Sequence, residues 1–412
     1  MSVSKERIPA LYGLRAISIL MVVFGHLCGT AGFISTIGKQ DLGHLGVRVF
    51  FVISGYLITK QLIDKFQASG DVSLKEFYLQ RSFRILPACY LLIAALGLAS
   101  ILHWIHLPWF DLAAAATYLA NFDFPRSWYV GHLWSLAVEE QFYLVWPMLF
   151  LLIARRGWLR ITSWWWFGLA GLVLAIPPVL RLVILHKVPL LEPGIGTMLP
   201  TVADALGIGC ILAMAQEWLE QVAWYRRTVD SAWSVIWPVA AVAALIYPYW
   251  TSLDITVLEA AQNILIAFFI HHCVRARHKL LDWKPMVWGG EISYSLYLWQ
   301  QPFLNREVHS VFTAFPWNIM IALAIACLSF YLVEEPCRAL WRCILKKTPW
   351  TAALLWSRSI NLVNTYLART RRAWSWLRDG GLSIRRRIPS CITSEAAEPE
   401  KVLALSSVRE PE

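Results

Sequence analysis

Leu11-Tyr12-Gly13-Leu14-Arg15-Ala16-Ile17-Ser18-Ile19-Leu20-Met21-Val22-Val23-Phe24-Gly25-His26 lies in the first apolar run of the chain, residues 8–30. The run is long enough to cross a bilayer, which takes about 20 residues as a helix, yet it carries an arginine and a histidine. Arg15 and His26 are eleven positions apart. On an α-helix that spacing leaves them within about 20° of azimuth and about 16 Å apart along the axis. A charge at mid-bilayer costs about 2.5–3.5 kcal/mol on insertion scales, so this stripe must face protein or water rather than lipid. Two readings stay open on these residues alone: a structural arginine beside a satisfied core histidine, or part of a polar site. The run lacks a small-residue cleavage site, so it is expected to remain as a working helix and not to leave as a signal peptide.

Similar apolar stretches recur at 45–66, 84–105, 109–122, 134–154, 161–186, 199–217, 231–250, 256–274, 288–306 and 315–340. The 412 residues are 58% hydrophobic and 16% charged, against about 25% charged in a soluble domain. That excludes a secreted globular protein, a cytosolic enzyme and a disordered scaffold. The predicted fold class is all-α, a polytopic membrane helix bundle of about ten transmembrane helices with one short re-entrant or interfacial segment. The short segment is 109–122, because letting it cross would export most of the basic loops that follow, against the positive-inside rule. With it held back, Lys60, Lys65, Lys75 and Arg81 share the cytoplasmic side with Arg155, Arg156, Arg226, Arg227 and Arg275. Both termini then lie in the cytoplasm.

The 23 Trp and 14 Tyr suit interfacial belts. The net charge of +10 is explained by basic loops facing an anionic leaflet, without nucleic acid as a partner. Eight cysteines stand singly, with no zinc-finger or CxxC spacing, and no metal site is expected. The domain division predicted is a transmembrane domain over 1–345 and a cytoplasmic tail over 346–412. In the tail, 350–387 reads as a basic interfacial helix and the stretch from Ser394 as disordered. No internal repeat stands out.

Three further places carry chemistry. Arg81 and Arg84, in Phe77-Tyr78-Leu79-Gln80-Arg81-Ser82-Phe83-Arg84, stand at i, i+3 and share a helix face. Two guanidinium forks side by side suit a polyphosphate; the plainer reading is a pair of inner-leaflet anchors. His132-Leu133-Trp134-Ser135-Leu136-Ala137-Val138-Glu139-Glu140 opens another span from the outer side. Adjacent carboxylates point about 100° apart, so Glu139 and Glu140 need different partners. His132 and Trp134 read either as interfacial residues or, with Ser135 and Arg48, as substrate contacts. Ser54-Gly55 reads as helix packing, and Glu334-Glu335-Pro336 as a helix-end partner for nearby basic residues. His271 and His272 are not expected to bind metal.

Taken in order, these segments resemble the acyltransferase-3 family of bacterial integral-membrane O-acyltransferases, which modify lipopolysaccharide, exopolysaccharide, peptidoglycan and related glycans. The resemblance runs through 11–26, Gly46 to Ile58, Phe77 to Pro87, His132 to Tyr143, Ile292-Ser293-Tyr294-Ser295-Leu296-Tyr297-Leu298-Trp299 and Tyr331 to Pro336. It implies that His26 is the catalytic residue and Arg15 its companion, with Glu139 and Glu140 in the catalytic set. It implies that Arg81 and Arg84 handle an acyl-CoA donor, most simply acetyl-CoA. The other partners it implies are a glycan or glycolipid acceptor and membrane lipids. Arg48, Tyr12 and Gln300 depart from the family pattern; Gln300 stands where histidine is frequent.

The expected reaction moves an acyl group, acetyl by preference, from a cytoplasmic acyl-CoA to a hydroxyl of an extracytoplasmic glycan. His26 would act as general base or carry the acyl group itself. A carboxylate, Glu139 or Glu140, would fix its tautomer, and Arg15 would bind donor oxygens or the oxyanion. The rival from another class is a transporter or flippase of a glycolipid or polysaccharide precursor, whose buried charges line a pathway.

Overall fold

The computed structural model describes residues 8–34, 42–157, 165–231, 252–276 and 278–345, with 234, 236, 238 and 240 as isolated positions. The apolar stretch 231–250 and the tail 346–412, including its expected basic helix, lie essentially outside the described residues. Among the described residues the secondary structure is helical, with no strand. The long helices are α1 (Pro9–Leu27), α2 (Leu42–Ser69), α3 (Leu74–Ile101), α6 (Leu133–Arg155), α7 (Trp165–Lys187), α8 (Leu199–Leu219), α10 (Ser252–Arg275), α11 (Lys284–Phe303) and α12 (Trp317–Ser329). Short helices are α4 (Trp109–Ala116), α5 (Trp128–Gly131), α9 (Ala223–Asp230) and α13 (Glu335–Leu345).

Eight of these stretches are long and apolar enough to cross a membrane, as the composition requires of a multi-pass protein. Segment 109–122 does not reach that length: it folds as the eight-residue α4 and a single 3-10 turn. A contact between distant residues agrees. Asp71, in the loop between α2 and α3, pairs with Arg155 at the end of α6 at 2.9 Å. Those two points share one end of the bundle only if the chain makes an even number of crossings between them, the two along α3 and α6, without a further one at 109–122. The guanidinium holds the Asp71 carboxyl below the usual carboxylate range. The same end gathers Glu220 and Asp230 on Arg275. The opposite end gathers the end of α1, the end of α11 and the start of α12, where Phe315 donates to the Ala31 carbonyl at 2.8 Å.

Local sequence explains the helix starts and the tight crossings. Pro9 opens α1, where its missing N–H costs nothing, and Ser73 caps α3 by accepting from the Glu76 amide. Helices α2 and α8 meet through small residues, so Ser54-Gly55 does serve packing: a Cβ on Gly55 would lie 2.0 Å from the Leu206 carbonyl oxygen, and one on Gly209 2.2 Å from that of Val52. The backbones approach as in small-residue membrane packing. Gly209→Val is therefore expected to lower the thermal midpoint in detergent sharply, an overpacking cost of about 1–3 kcal/mol or more. Gly171→Ala on α7, with open space around it, is the control that should leave the midpoint unchanged.

Inside the bundle, Arg181 is fully buried and held by Asp204 at 2.7 Å, Glu259 at 2.9 Å and the Thr201 carbonyl at 2.6 Å. A buried guanidinium with two carboxylates and a carbonyl is compensated, which is what burial of charge demands. Between α12 and α13 the helix widens into a π turn over Phe330–Glu334. There Glu334 is buried, accepting from Ser295 at 2.8 Å and pairing with Arg338, while Glu335 takes Arg342 at 2.6 Å. The expectation for Glu334-Glu335 as partners of basic residues holds.

Candidate active site

Helices α1, α2, α3, α6 and α11 line a partly open cavity with about 800 Å³ of empty space, solvent at its mouth included. Arg15, Arg81, Arg84, Glu139 and Ser135 all line it; five sequence-predicted residues from three helices thus share one chamber. Its apolar wall is Val47, Phe50, Phe51, Ile53, Leu57, Ile85 and Leu136. The Glu139 carboxylate accepts from Ser54 at 2.8 Å and Tyr143 at 3.3 Å, not from an arginine. Arg81 lies over the Tyr143 ring at 4.6 Å. The Arg15 Nε is buried without a hydrogen-bond partner. Three guanidiniums against one lining carboxylate leave the chamber net positive, and an apolar wall beside that charge is fitted to a phosphorylated group with an apolar arm.

Glu140 points elsewhere, as two adjacent carboxylates on a helix must. It does not line the cavity, and its Oε1 is buried without a partner.

His26 is outside this chamber, in the last turn of α1 and partly exposed. Its Nδ1 bonds Gln300 Oε1 at 2.8 Å. The Gln300 amide nitrogen faces the Tyr297 carbonyl at 3.5 Å, so the amide oxygen is the atom turned to the ring. Nδ1 then carries the proton and Nε2 the lone pair. The partner of this nitrogen is therefore the fully buried Gln300 and not the expected carboxylate: Glu139 accepts from Ser54 and Tyr143, and Glu140 Oε1 is buried without a partner. Tyr297 at the cavity roof and Gln300 at the histidine are one turn apart on α11, as are Ser135 in the cavity and His132 on α6. The imidazole thus sits about one helical turn beyond the roof of the chamber.

The remaining predicted residues take other positions. His132 is buried; its Nε2 donates to the Leu298 carbonyl at 3.0 Å, and its Nδ1 has no partner. Ser135 Oγ and Tyr297 OH lie 2.5 Å apart, and Tyr297 donates to the His132 carbonyl at 2.7 Å. Trp134 stacks on His44, ring centroids 5.7 Å apart. Arg48 pairs with Glu259 at 2.7 Å and so joins the Arg181 cluster. Among the described residues no group of His, Cys, Asp and Glu is placed to hold a metal ion.

Sequence reasoning did not single out Ser54 as a cavity residue, nor Tyr143, Tyr297, Trp128 and Arg306. Trp128 meets the His26 ring edge-on at 5.8 Å, and Arg306 lies over the Trp128 ring at 5.3 Å. In the sequence Gln300 shows only as a departure from a family pattern.

The chain is 27% identical over 367 residues to peptidoglycan O-acetyltransferase OatA of Listeria monocytogenes, covering 81% of this chain and 56% of that protein. It is 28% identical to the putative peptidoglycan O-acetyltransferase YrhL of Bacillus subtilis, covering 80% and 55%. It is 30% identical to a putative O-acetyltransferase of Staphylococcus aureus (strain COL), covering 80% and 57%. The chain therefore spans little more than half the length of these curated relatives. No solved structure matches it. A family model described as an acyltransferase domain matches residues 8–335, and with that match the chain belongs to the acyltransferase-3 family.

Proposed function

We propose that this protein is a membrane O-acetyltransferase that moves acetyl from acetyl-CoA, taken from the cytoplasm, to a hydroxyl of an extracytoplasmic glycan or glycolipid. The observation that carries the reading is the pairing of a net-positive chamber at one level of the bundle with an oriented imidazole one turn beyond it. Family membership supports acyl transfer, and the relatives' names support acetyl and a cell-wall glycan.

In this reading Arg81 and Arg84 bind the phosphates of the donor and Arg15 the oxygens further along its arm. The thioester passes Ser135 and Tyr297 to reach His26. Nε2 of His26 accepts the proton of the acceptor hydroxyl as its oxygen attacks the thioester carbonyl. The C–S bond breaks, the thiolate leaves, and the imidazolium returns the proton to it. Gln300, by accepting from Nδ1–H, leaves the lone pair on Nε2 for that step. The basic end of the bundle lies in the cytoplasm, in the bacterial inner membrane.

Gln300→Leu removes the acceptor for Nδ1–H and is expected to lower kcat by about 10- to 100-fold, by analogy with lost orienting partners elsewhere. Gln300→Glu, which keeps an acceptor there, should retain most of the activity. Equal loss in both would point to packing alone. The reading as a whole is tested by mass spectrometry of surface glycans from cells with and without the protein. Loss of an ester-linked acetyl group supports it, and an unchanged glycan profile refutes it.

A further inference from the structure

Three candidates outside the proposed chemistry stand out: the Arg48–Glu259–Arg181–Asp204 cluster, the polar group of Tyr225, Glu220, His271 and Arg275 at the opposite end, and Arg306. In the first two, each arginine has a carboxylate at 2.7–3.4 Å, so their charge is already spent within the fold. Arg306 differs. No carboxylate of the described residues lies within ion-pair distance of it, and in this it matches Arg15, Arg81 and Arg84 of the donor chamber and not Arg48, Arg181, Arg275 or Arg338.

Its placement is fixed nonetheless. Nε donates to the His26 carbonyl at 3.4 Å and one terminal nitrogen to the Gly25 carbonyl, which are end-of-helix carbonyls of α1 that favour a cation. One face of the guanidinium covers Trp128. The other side is bordered by Gly29, which has φ +88° and whose added Cβ would touch the arginine at 3.5 Å. Trp128 is itself anchored, its indole N–H donating to the Gln301 carbonyl at 3.0 Å. Arg306 has five N–H donors. The two on its other terminal nitrogen have no acceptor among the described residues, and that atom is not among the buried unpartnered ones, so it is open to a ligand. His26, Trp128 and Arg306 are each partly exposed, and the imidazole and guanidinium flank the same indole within 6 Å of its centroid.

We propose that Trp128 and Arg306 form the acceptor subsite beside His26, and that the acceptor presents an anionic group, carboxylate or phosphate, next to the hydroxyl that is acylated. This rests on the acetyl-transfer reading for its meaning, though not for its test. The indole offers a platform for a sugar face, the open terminal nitrogen of the guanidinium a charge-assisted hydrogen bond, and His26 Nε2 takes the hydroxyl proton.

The test is equilibrium binding to the full chain in lipid nanodiscs, without acyl donor, of methyl glucoside, methyl glucuronide and glucose 1-phosphate. Binding of either anionic sugar about tenfold or more tighter than the neutral one is expected, as a charge-assisted contact supplies. The stronger of the two names the anion. Arg306→Gln, which can still donate to the α1 carbonyls, should abolish that preference without moving the thermal midpoint. Indistinguishable or undetectable binding of all three sugars to the unmodified protein overturns the proposal, whether or not the variant folds. So does a preference that persists in Arg306→Gln. Because no thioester is present, these outcomes are independent of whether acetyl transfer itself is found.

Discussion

His26→Gln is expected to lower acetyl transfer by about 10²–10⁴-fold, the range that a positioned general base contributes, while donor binding and thermal midpoint stay near those of the unmodified protein. The ring lies at the end of α1, one turn beyond the arginine-lined chamber, and its removal takes no atom from the chamber lining. Glutamine keeps an amide able to meet Gln300 but offers no basic nitrogen. The measurement is single-turnover transfer from labelled acetyl-CoA in proteoliposomes, with CoA affinity determined in parallel. A variant that folds, inserts and retains full transfer would remove His26 from the chemistry.

The second large effect belongs to the donor. Arg81→Ala combined with Arg84→Ala is expected to raise KM for acetyl-CoA by about 10²-fold or more, since each lost charge-assisted hydrogen bond is worth about 1.5–3 kcal/mol. With saturating donor, kcat should fall much less. The two guanidiniums are on one face of α3 and both open on the chamber, so in the proposed reading they act on the same ligand. Arg81 also covers the Tyr143 ring, and part of its loss is packing; Arg84→Ala alone separates the terms. A double variant with unchanged KM and a lowered kcat would move these residues from donor binding to the reacting atoms.

How much of this was legible in the sequence depended on cost. Arg15, Arg81, Arg84 and Glu139 stood out because a charge in an apolar run is expensive and must be compensated, and the fold brings all four to one chamber. Loop charges likewise fixed the side of Arg155, and its pair with Asp71 agrees. Ser54, Tyr143 and Tyr297 were not separable from packing, because hydroxyls are cheap in helices and frequent there. Gln300 looked like a lost family histidine; only the fold places its amide oxygen on the imidazole. The partner of Arg48 is Glu259, more than two hundred residues away, and no spacing rule reaches that far. Arg306 carries no signal in the sequence; only the fold shows that no carboxylate of the described residues pairs with it and that it covers Trp128.

Sidedness is the most direct test. Proteoliposomes holding the protein in one orientation are supplied with labelled acetyl-CoA only at the face carrying the Asp71–Arg155 pair, and with acceptor glycan only at the face carrying His26. Esterified glycan on the far side, absent with His26→Gln, is the predicted result. Transfer only when thioester and glycan are mixed in the same compartment would contradict the account.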